Sequence, residues 1–158
     1  MKNDAFISYS RKDILFASGL EKVLEAYRPA KGISAQSRNL IIFRDVEDFT
    51  GVEYHQSLKE HLENSAKLIV LCSPHARQSP YVNDEIERYA QYRGANNIIP
   101  ILVSGLANNE AGPGQEDQMA FPDALCQLMA MPLAVNYRDF DLKKEKINKG
   151  VYYGQWYT

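Results

Sequence analysis

The sequence predicts an α/β protein built as a three-layer sandwich around a five-stranded parallel sheet. Five short runs rich in branched aliphatic residues alternate along the chain with segments of helical periodicity. The strongest run, residues 68–72, contains no polar residue, which is typical of a strand buried on both faces of a parallel sheet. Because crossovers between parallel strands are right-handed, few arrangements remain, and we expect a doubly wound domain of flavodoxin-like architecture.

The composition indicates a single, slightly acidic domain. The chain has 158 residues, 45% of them hydrophobic, which is the size of one ordinary globular domain. We expect its core to span about residues 4–140, and residues 141–158 to form a final helix, a tail or a linker. The formal net charge of −2 supplies no long-range positive field, so nucleic acid and membranes are not expected as partners.

The cellular setting expected from the sequence is the cytoplasm. No stretch approaches the ~18 continuous apolar residues of a membrane span, and no basic-then-apolar signal peptide is visible. Cys72 and Cys126 lie far apart in apolar surroundings, and we expect two reduced core thiols. His55 and His61 are six residues apart and do not share a helical face, so we expect two surface residues and no metal site.

The first half of the chain predicts two strands, each followed by a helix. Polar and glycine-containing stretches separate the apolar runs, Asp13 fits an N-cap, and Gly51 closes the loop after the second strand. The predicted segments are a strand at 4–10, a helix from 14 to about 27–29, a surface connection at 30–39, a strand at 40–43, a loop at 44–51 and a helix at 54–64.

The second half predicts three more strands and two helices. Gly94 is a natural end for the longer helix. Pro100 cannot donate to a neighbouring strand, which normally places it at a sheet edge or irregularity. Residues 108–118 are polar and glycine-rich, and we expect a mobile loop. The predicted segments are a strand at 68–72, a helix at 80–93, a strand at 98–103, a short helix at 121–129 and a strand at 133–136.

The stretch around Glu85 follows the third predicted strand. Ser79 fits an N-cap, with Pro80 at the first helical position. Glu85 then lies within about two turns of a helix N-terminus, at the edge of the sheet where open α/β proteins bind ligands. We expect its carboxylate to be ionised. Asp84 points about 100° away around the helix, so we expect one working carboxylate rather than a close pair.

Several chemistries have no signature in this chain. It contains no G-x-G-x-x-G, no G-x-x-x-x-G-K-[ST] and no G-x-S-x-G motif. A phosphoacceptor receiver domain would need acidic residues at the end of the first strand, where this chain has Ser8, Tyr9 and Ser10. The strand ends bring together one carboxylate, two arginines, hydroxyl groups and aromatic rings. These groups suit a phosphate-bearing ligand with a stacking ring and a developing positive charge.

Four short segments carry signatures that occur in this order in a known family. They are residues 6–9 (Phe-Ile-Ser-Tyr), 43–51 (with Phe-Arg-Asp and Phe-Thr-Gly), 81–86 (Tyr-Val-Asn-Asp-Glu-Ile) and 97–101 (Asn-Ile-Ile-Pro-Ile). They resemble the first strand, the second strand with its BB loop, the W-x-x-x-E-I segment and the fourth strand of the TIR (Toll/interleukin-1 receptor) domain. The chain is most similar to bacterial TIR modules, and we expect the N-terminal module of a larger signalling or defence protein.

The resemblance implies two alternative functions. Many TIR domains are NAD⁺ nucleosidases that break the nicotinamide–ribose bond, giving nicotinamide and ADP-ribose or a cyclic isomer, usually on self-association. NAD⁺ is then the substrate, no cofactor is expected, and other TIR domains are the expected partners. Other members are non-catalytic adaptors that join TIR domains through the BB loop. The loop is here Asp45, Val46, Glu47, Asp48, Phe49, Thr50 and Gly51. The retained glutamate favours the enzyme.

The same resemblance assigns roles to individual residues. Glu85 takes the place of the catalytic glutamate, and Tyr81 stands where the family usually has tryptophan. The positions that line the nucleotide cleft in enzymatic members are Ser8, Tyr9, Arg11, Arg44, Asp45 and Phe49. A carboxylate can stabilise an oxocarbenium-like sugar, and no general acid is needed because nicotinamide leaves as a neutral molecule. Alternatives stay open: Arg44 could pair with Asp45 or Glu47, Phe49 could serve packing or assembly, and Tyr9 could belong to the core.

Overall fold

The structure is a computed structural model that describes residues 1–28, 38–45, 52–130 and 132–139. Within these ranges the strands are β1 (Asn3–Ser8), β2 (Ile42–Arg44), β3 (Ser65–Cys72), β4 (Ile98–Leu102) and β5 (Val135–Asn136). The α-helices are α1 (Ile14–Glu25), α2 (Val52–Glu63), α3 (Pro74–Gln78), α4 (Pro80–Arg93) and α5 (Asp123–Leu128). Most of the predicted connection at 30–39, the loop at 46–51 and the segment at 140–158 lie outside the described residues.

The strands form one parallel sheet in the order β2-β1-β3-β4-β5. On β1, an inner strand, Phe6 lies opposite Phe43 on one side and Leu68 on the other. This is the strand order of flavodoxin-like doubly wound domains, so the predicted fold class is confirmed. The winding reverses between β1 and β3, and the carboxyl ends of these two strands flank the crevice where such sheets bind ligands.

Alternate strand residues build two hydrophobic cores, one on each face of the sheet. On β1, Phe6 packs into the core that α2, α4 and α5 cover, whereas Ala5 and Ile7 pack into the core that α1 covers. β3 divides its side chains between the two cores in the same way. A strand that is buried on both faces needs apolar residues at every position, which explains the unbroken apolar run at residues 68–72.

Pro100 lies on β4, between β3 and β5, so it is not at a sheet edge, which was one of the two placements expected for it. The carbonyl of Leu102 accepts a hydrogen bond from the Tyr137 N–H on the β5 side. Backbone groups two residues apart point to the same side of a strand, so the missing N–H of Pro100 also faces that side. Pairing of β4 with β5 begins at Ile101, so the proline removes no hydrogen bond from the described sheet.

Helix α4 begins and ends as its sequence predicts. The Ser79 hydroxyl accepts a hydrogen bond from the Val82 N–H at 3.3 Å, and Pro80 occupies the first helical position. Gly94 closes the helix with a φ of +84°, a conformation that side-chain-bearing residues rarely adopt. These local signals place Glu85 in the second turn of α4.

Helix α3 is not predicted by the sequence pattern. Its five residues are too few to show a helical period, and Ser73 begins it by accepting a hydrogen bond from the Ala76 N–H at 3.0 Å. The Asn83 amide then joins three helices. It donates to the carbonyl of Arg77 at 3.2 Å and accepts from the Ala124 N–H at 3.0 Å, in the first turn of α5. Asn83 therefore supplies the side-chain cap that the N-cap residue of α5 lacks.

One further expectation, that both histidines of α2 lie on the surface, is changed by the structure. His61 is half-buried: its ring stacks on Phe43 with centroids 3.6 Å apart, and burial lowers its pKa. His55 is exposed, as expected. Residues 108–118 end in a turn of 3₁₀ helix at Glu116–Gln118 and are closed by a bridge between Leu106 and Met119. That loop is therefore held at its base by backbone pairing.

Both cysteines are free thiols. Cys72 is buried in the core beneath α4, where desolvation raises its pKa, and Cys126 is half-buried. Across the described ranges, every helix is too short or too polar to cross a bilayer.

Gly105→Ala is expected to destabilise the domain more than Gly114→Ala. The φ angles are +82° and +80°, so alanine is strained at either position. At Gly105 a Cβ would also lie 2.5 Å from the carbonyl oxygen of Gln118 and 2.8 Å from Cδ of Pro74, whereas nothing lies within 4 Å at Gly114. In urea denaturation we expect losses of about 1 kcal/mol at Gly114 and about 3 kcal/mol at Gly105. Equal losses would show that the φ angle alone restricts Gly105.

Candidate active site

Glu85 lies on the buried face of α4, against the end of β1. Val82, Ile86 and Tyr89 form an apolar stripe at helical spacing, and Glu85 falls within that stripe. The residue is 7% exposed and faces the buried hydroxyl of Ser8, the last residue of β1. Its carboxyl group therefore sits between helix and sheet at the carboxyl edge of the strands.

Burial changes the charge expected for Glu85. Desolvation raises its pKa to about 8, well above the ordinary value of 4.5, and the Ser8 hydroxyl lowers it by a smaller amount. The Ser8 hydroxyl meets no partner at standard hydrogen-bond geometry within the described part of the chain, which fits this weak effect. The expectation of an ionised glutamate is therefore wrong for the ligand-free site. Loss of water outweighs the field of the helix N-terminus.

A second group of residues, here called the tyrosine cluster, consists of Tyr9, Arg11, Arg44 and Asp45. The Tyr9 hydroxyl donates to the Asp45 carbonyl at 2.6 Å and accepts from Arg11 at 3.0 Å and from Arg44 at 3.2 Å. Arg11 also donates to the Asp45 carbonyl, and its guanidinium lies 3.7 Å from the Asp45 carboxylate. The cluster ties the end of β1 to the end of β2.

Within the cluster, Arg44 forms its ion pair with Glu21 of α1, a partner that sequence reasoning did not consider. The Arg44 Nε lies 3.3 Å from the Glu21 carboxylate. Burial works to lower the pKa of Arg44, but hydrogen bonds to Tyr9 and Glu21 outweigh it and raise the pKa. The two residues lie 23 positions apart on different elements, so no local pattern could have signalled the pair. Arg44 is a fixed cation that is largely enclosed by protein.

The remaining predicted site residues are placed as follows. Tyr81 is 63% exposed and lies one helical turn before Glu85. Asp84 pairs with Arg88 at 2.8 Å along the helix, which agrees with the expectation that it does not form a close pair with Glu85. Phe49 and residues 46–51 of the BB loop lie outside the described residues. The predicted residues that the structure brings to one edge of the sheet are Ser8, Tyr9, Arg11, Arg44, Asp45 and Glu85.

A hydrogen bond across the crevice between β1 and β3 was also missed. The hydroxyl of Ser73 donates to the carboxylate of Asp13 while its oxygen caps α3. Asp13 stands at the N-cap position of α1 but makes no capping bond, because its carboxylate is engaged across the crevice. Burial raises the pKa of Asp13. The partners are 60 residues apart, and a single sequence carries no signal that would join them.

This arrangement offers opposite charges to a ligand at neighbouring positions. Glu85, once ionised, can stabilise a cation, and Arg11, whose side chain is 44% exposed, can contact an anion. Burial sets the raised pKa of Glu85, and the charge of Arg11 lowers that pKa by a smaller amount. In the ranges that the structure describes, no three His, Cys, Asp or Glu side chains are grouped to hold a metal ion.

Comparisons with known proteins agree with this fold. A family model described as the TIR domain matches residues 5–125. The NAD(+) hydrolase ApTIR of Actinoplanes sp. is 33% identical over 138 residues, which cover 79% of this chain and 18% of that protein. The chain thus spans about a fifth of the length of this relative. The crystal structure of the TIR domain of the Toll-related receptor TRR-2 from Hydra magnipapillata superposes with a TM-score of 0.55 at 19% identity, covering 85% of this chain and 84% of that one, and it supports the fold.

Glu85→Gln is expected to stabilise the domain increasingly as pH rises from 5 to 8. Since the pKa of Glu85 is about 8 in the folded state and close to 4.5 when unfolded, the folded state holds a proton that unfolding releases. Stability is therefore lost between these two pH values, and glutamine removes the loss. We expect the melting temperature of Glu85→Gln to gain about 5 °C on wild type between pH 5 and pH 8. The exposed Glu87→Gln is the control, and a parallel pH response in both variants would contradict the buried, protonated glutamate.

Proposed function

The chain belongs to the TIR domain family, and we propose that it is an NAD⁺ nucleosidase that breaks the nicotinamide–ribose bond, with Glu85 as the catalytic carboxylate. The observation that carries this proposal is the burial of Glu85 in the apolar stripe of α4, beside Ser8 and within the field of Arg11. A carboxyl group in such a position costs stability. Perturbed titratable groups of this kind cluster at functional sites. The NAD(+) hydrolase activity of the Actinoplanes relative supports the same proposal.

The chemistry requires one carboxylate. When the bond between ribose C1′ and the nicotinamide nitrogen breaks, its electron pair stays on nitrogen and nicotinamide leaves neutral, while the sugar becomes an oxocarbenium-like cation. Ionised Glu85 stabilises this cation in a site of low dielectric. Water then adds at C1′ and loses a proton to give ADP-ribose, or a nucleophile of the same molecule adds to give a cyclic isomer.

The substrate itself favours the ionised form of Glu85. Without ligand the pKa of about 8 leaves a minor carboxylate population at neutral pH. The positive nicotinamide ring of NAD⁺ lies next to the carboxyl group in the proposed complex, and an opposite charge at short range lowers the pKa of an acid. The ground state therefore gains an ion pair on binding, and the cationic charge persists through the transition state.

The phosphates and rings of NAD⁺ have candidate partners at the same edge of the sheet. Arg11 is half-exposed and is the stronger candidate for the pyrophosphate, because Arg44 is 11% exposed and paired with Glu21. The exposed ring of Tyr81 is a candidate stacking surface for a base, and Phe49 of the BB loop is proposed for a ring contact. We further propose that the domain works in the cytoplasm in bacterial defence signalling, and that self-association with other TIR domains activates it.

Glu85→Ala is expected to abolish NAD⁺ cleavage. At high protein concentration or clustered on a surface, wild type should release nicotinamide, and the variant should be slower by a factor of roughly 100 or more, because the charge that stabilises the sugar cation is gone. Chromatographic separation of the products distinguishes ADP-ribose from a cyclic isomer. Glu87→Ala, on the exposed face of the same helix, should retain wild-type activity.

One outcome of the same experiment would contradict the proposed enzyme activity. If clustered wild type and Glu85→Ala are equally silent while the domain still self-associates, and BB-loop substitutions abolish that association, the domain is a non-catalytic TIR–TIR adaptor.

The pH dependence of cleavage is expected to follow Glu85. Below pH 8, kcat/KM should rise about tenfold per pH unit and then level off, since it reports the ionisation of the free enzyme. The midpoint in kcat should lie at lower pH, because bound NAD⁺ places a positive ring beside the carboxylate. Initial rates at saturating and sub-saturating NAD⁺ measure both profiles, with Glu85→Ala as the background. Rates that stay flat from pH 6 to pH 9 would exclude Glu85 ionisation as the limiting event.

A further inference from the structure

The hydroxyl group of Tyr9 has no hydrogen-bonding capacity left for a ligand. A phenol offers one donor and two acceptor lone pairs. The donor is used on the Asp45 carbonyl at 2.6 Å, and the two lone pairs accept from Arg11 at 3.0 Å and Arg44 at 3.2 Å. The ring is engaged as well, because it packs against the core beneath α1. A direct contact between the Tyr9 hydroxyl and substrate would require one of these three bonds to break.

The same hydroxyl accepts hydrogen bonds from two positively charged side chains, Arg11 and Arg44. The Cζ atoms of Arg11 and Arg44 lie 5.7 Å and 5.8 Å from the centroid of the Tyr9 ring. Their repulsion is offset by separate acidic partners, since Arg44 pairs with Glu21 and Arg11 lies 3.7 Å from the Asp45 carboxylate. Arg44 is enclosed and fixed, so it helps to hold the Tyr9 hydroxyl in place. The half-exposed Arg11 therefore donates to an acceptor of fixed position.

The position of Arg11 matters because its charge reaches Glu85. Burial is the main cause of the raised pKa of Glu85, Asp45 raises it further, and Arg11 lowers it by a smaller amount. One nitrogen of Arg11, Nη1, donates both to the Tyr9 hydroxyl and to the Asp45 carbonyl, so two bonds set the direction of the guanidinium. Without the hydroxyl, Nη1 keeps its bond to the Asp45 carbonyl but loses one of the two bonds that set its direction.

We propose that Tyr9 is a positioning residue whose hydroxyl sets the direction of the Arg11 guanidinium, and not a residue that binds substrate. The proposal rests on the proposed NAD⁺ cleavage for its consequence in catalysis, but the positioning itself is a property of the free domain. The substrate class it serves is a dinucleotide, whose pyrophosphate a guanidinium of fixed direction can contact. Tyr9 thereby orients the phosphate-binding charge.

The test compares Tyr9→Phe, Arg11→Ala and the double variant with wild type. Phenylalanine keeps the ring packing and removes one oxygen atom. Tyr9→Phe is expected to raise KM for NAD⁺ about tenfold with kcat changed by less than about threefold, because the lost interaction serves binding. Arg11→Ala should give at least the same increase, and the double variant no more than Arg11→Ala alone, since the hydroxyl acts through that arginine.

Tyr92→Phe is the matched control, because the Tyr92 hydroxyl also contacts an arginine, Arg88, at the far end of α4. It should leave KM unchanged. If Tyr9→Phe lowers the melting temperature but leaves KM at the wild-type value, Tyr9 has a structural role alone and the proposal is wrong. If the KM effects of Tyr9→Phe and Arg11→Ala multiply in the double variant, Tyr9 acts independently of Arg11, which also overturns it.

A second readout does not depend on turnover. The Glu85 carboxyl carbon, followed by ¹³C NMR, should titrate at higher pH in Tyr9→Phe than in wild type, as in Arg11→Ala, because the cation that lowers its pKa is no longer held in place. A shift in Arg11→Ala without one in Tyr9→Phe would overturn the proposal. If wild type does not cleave NAD⁺ but both variants move the Glu85 titration, the proposed function fails while the positioning role stands.

Discussion

The site depends on the period-two alternation of side chains at the end of β1. Ser8 and Tyr9 are adjacent, so a strand geometry sends one toward α4 and the other toward α1. Ser8 faces the buried carboxyl group of Glu85. The Tyr9 hydroxyl forms hydrogen bonds with both arginines and with the Asp45 carbonyl at the end of β2. Because β1 is paired on both sides, neither residue can shift register without disrupting two neighbouring strands. The sheet thus fixes which of the two residues faces Glu85 and which bonds the arginines.

The burial of Glu85 is a local conflict between stability and chemistry. Its neighbours in the stripe of α4 are apolar and fully enclosed, and an apolar residue at position 85 would suit the core better. Ionisation of a glutamate at such a position is disfavoured by burial. A nearby positive charge therefore has a large effect on whether the carboxyl group is ionised. The same desolvation that lowers the stability of the folded state strengthens the interaction of the carboxylate with a sugar cation.

Local signals in the sequence were sufficient to predict the main helices and strands of the fold. Ser79, Pro80 and Gly94 mark the ends of α4, and the apolar run at residues 68–72 marks a central strand, because each reflects short-range geometry or burial on both faces. The burial of Glu85 was also visible in principle, since Val82, Ile86 and Tyr89 recur around it at helical spacing. Interpreting that stripe as a core face would have corrected the expectation of an ionised carboxylate.

Contacts between segments far apart in the chain could not be predicted from a single sequence. The pairs Arg44–Glu21 and Asp13–Ser73 join residues on separate elements, and the short helix α3 carries no period. The two-residue β5 has a further consequence for the polar groups of the sheet. β4 is buried along its whole length, but among the described residues β5 pairs only with Ile101 and Leu102, so a backbone N–H at position 100 would be enclosed on that side without a strand partner. Pro100 removes this donor and so avoids the cost of burying it unpaired.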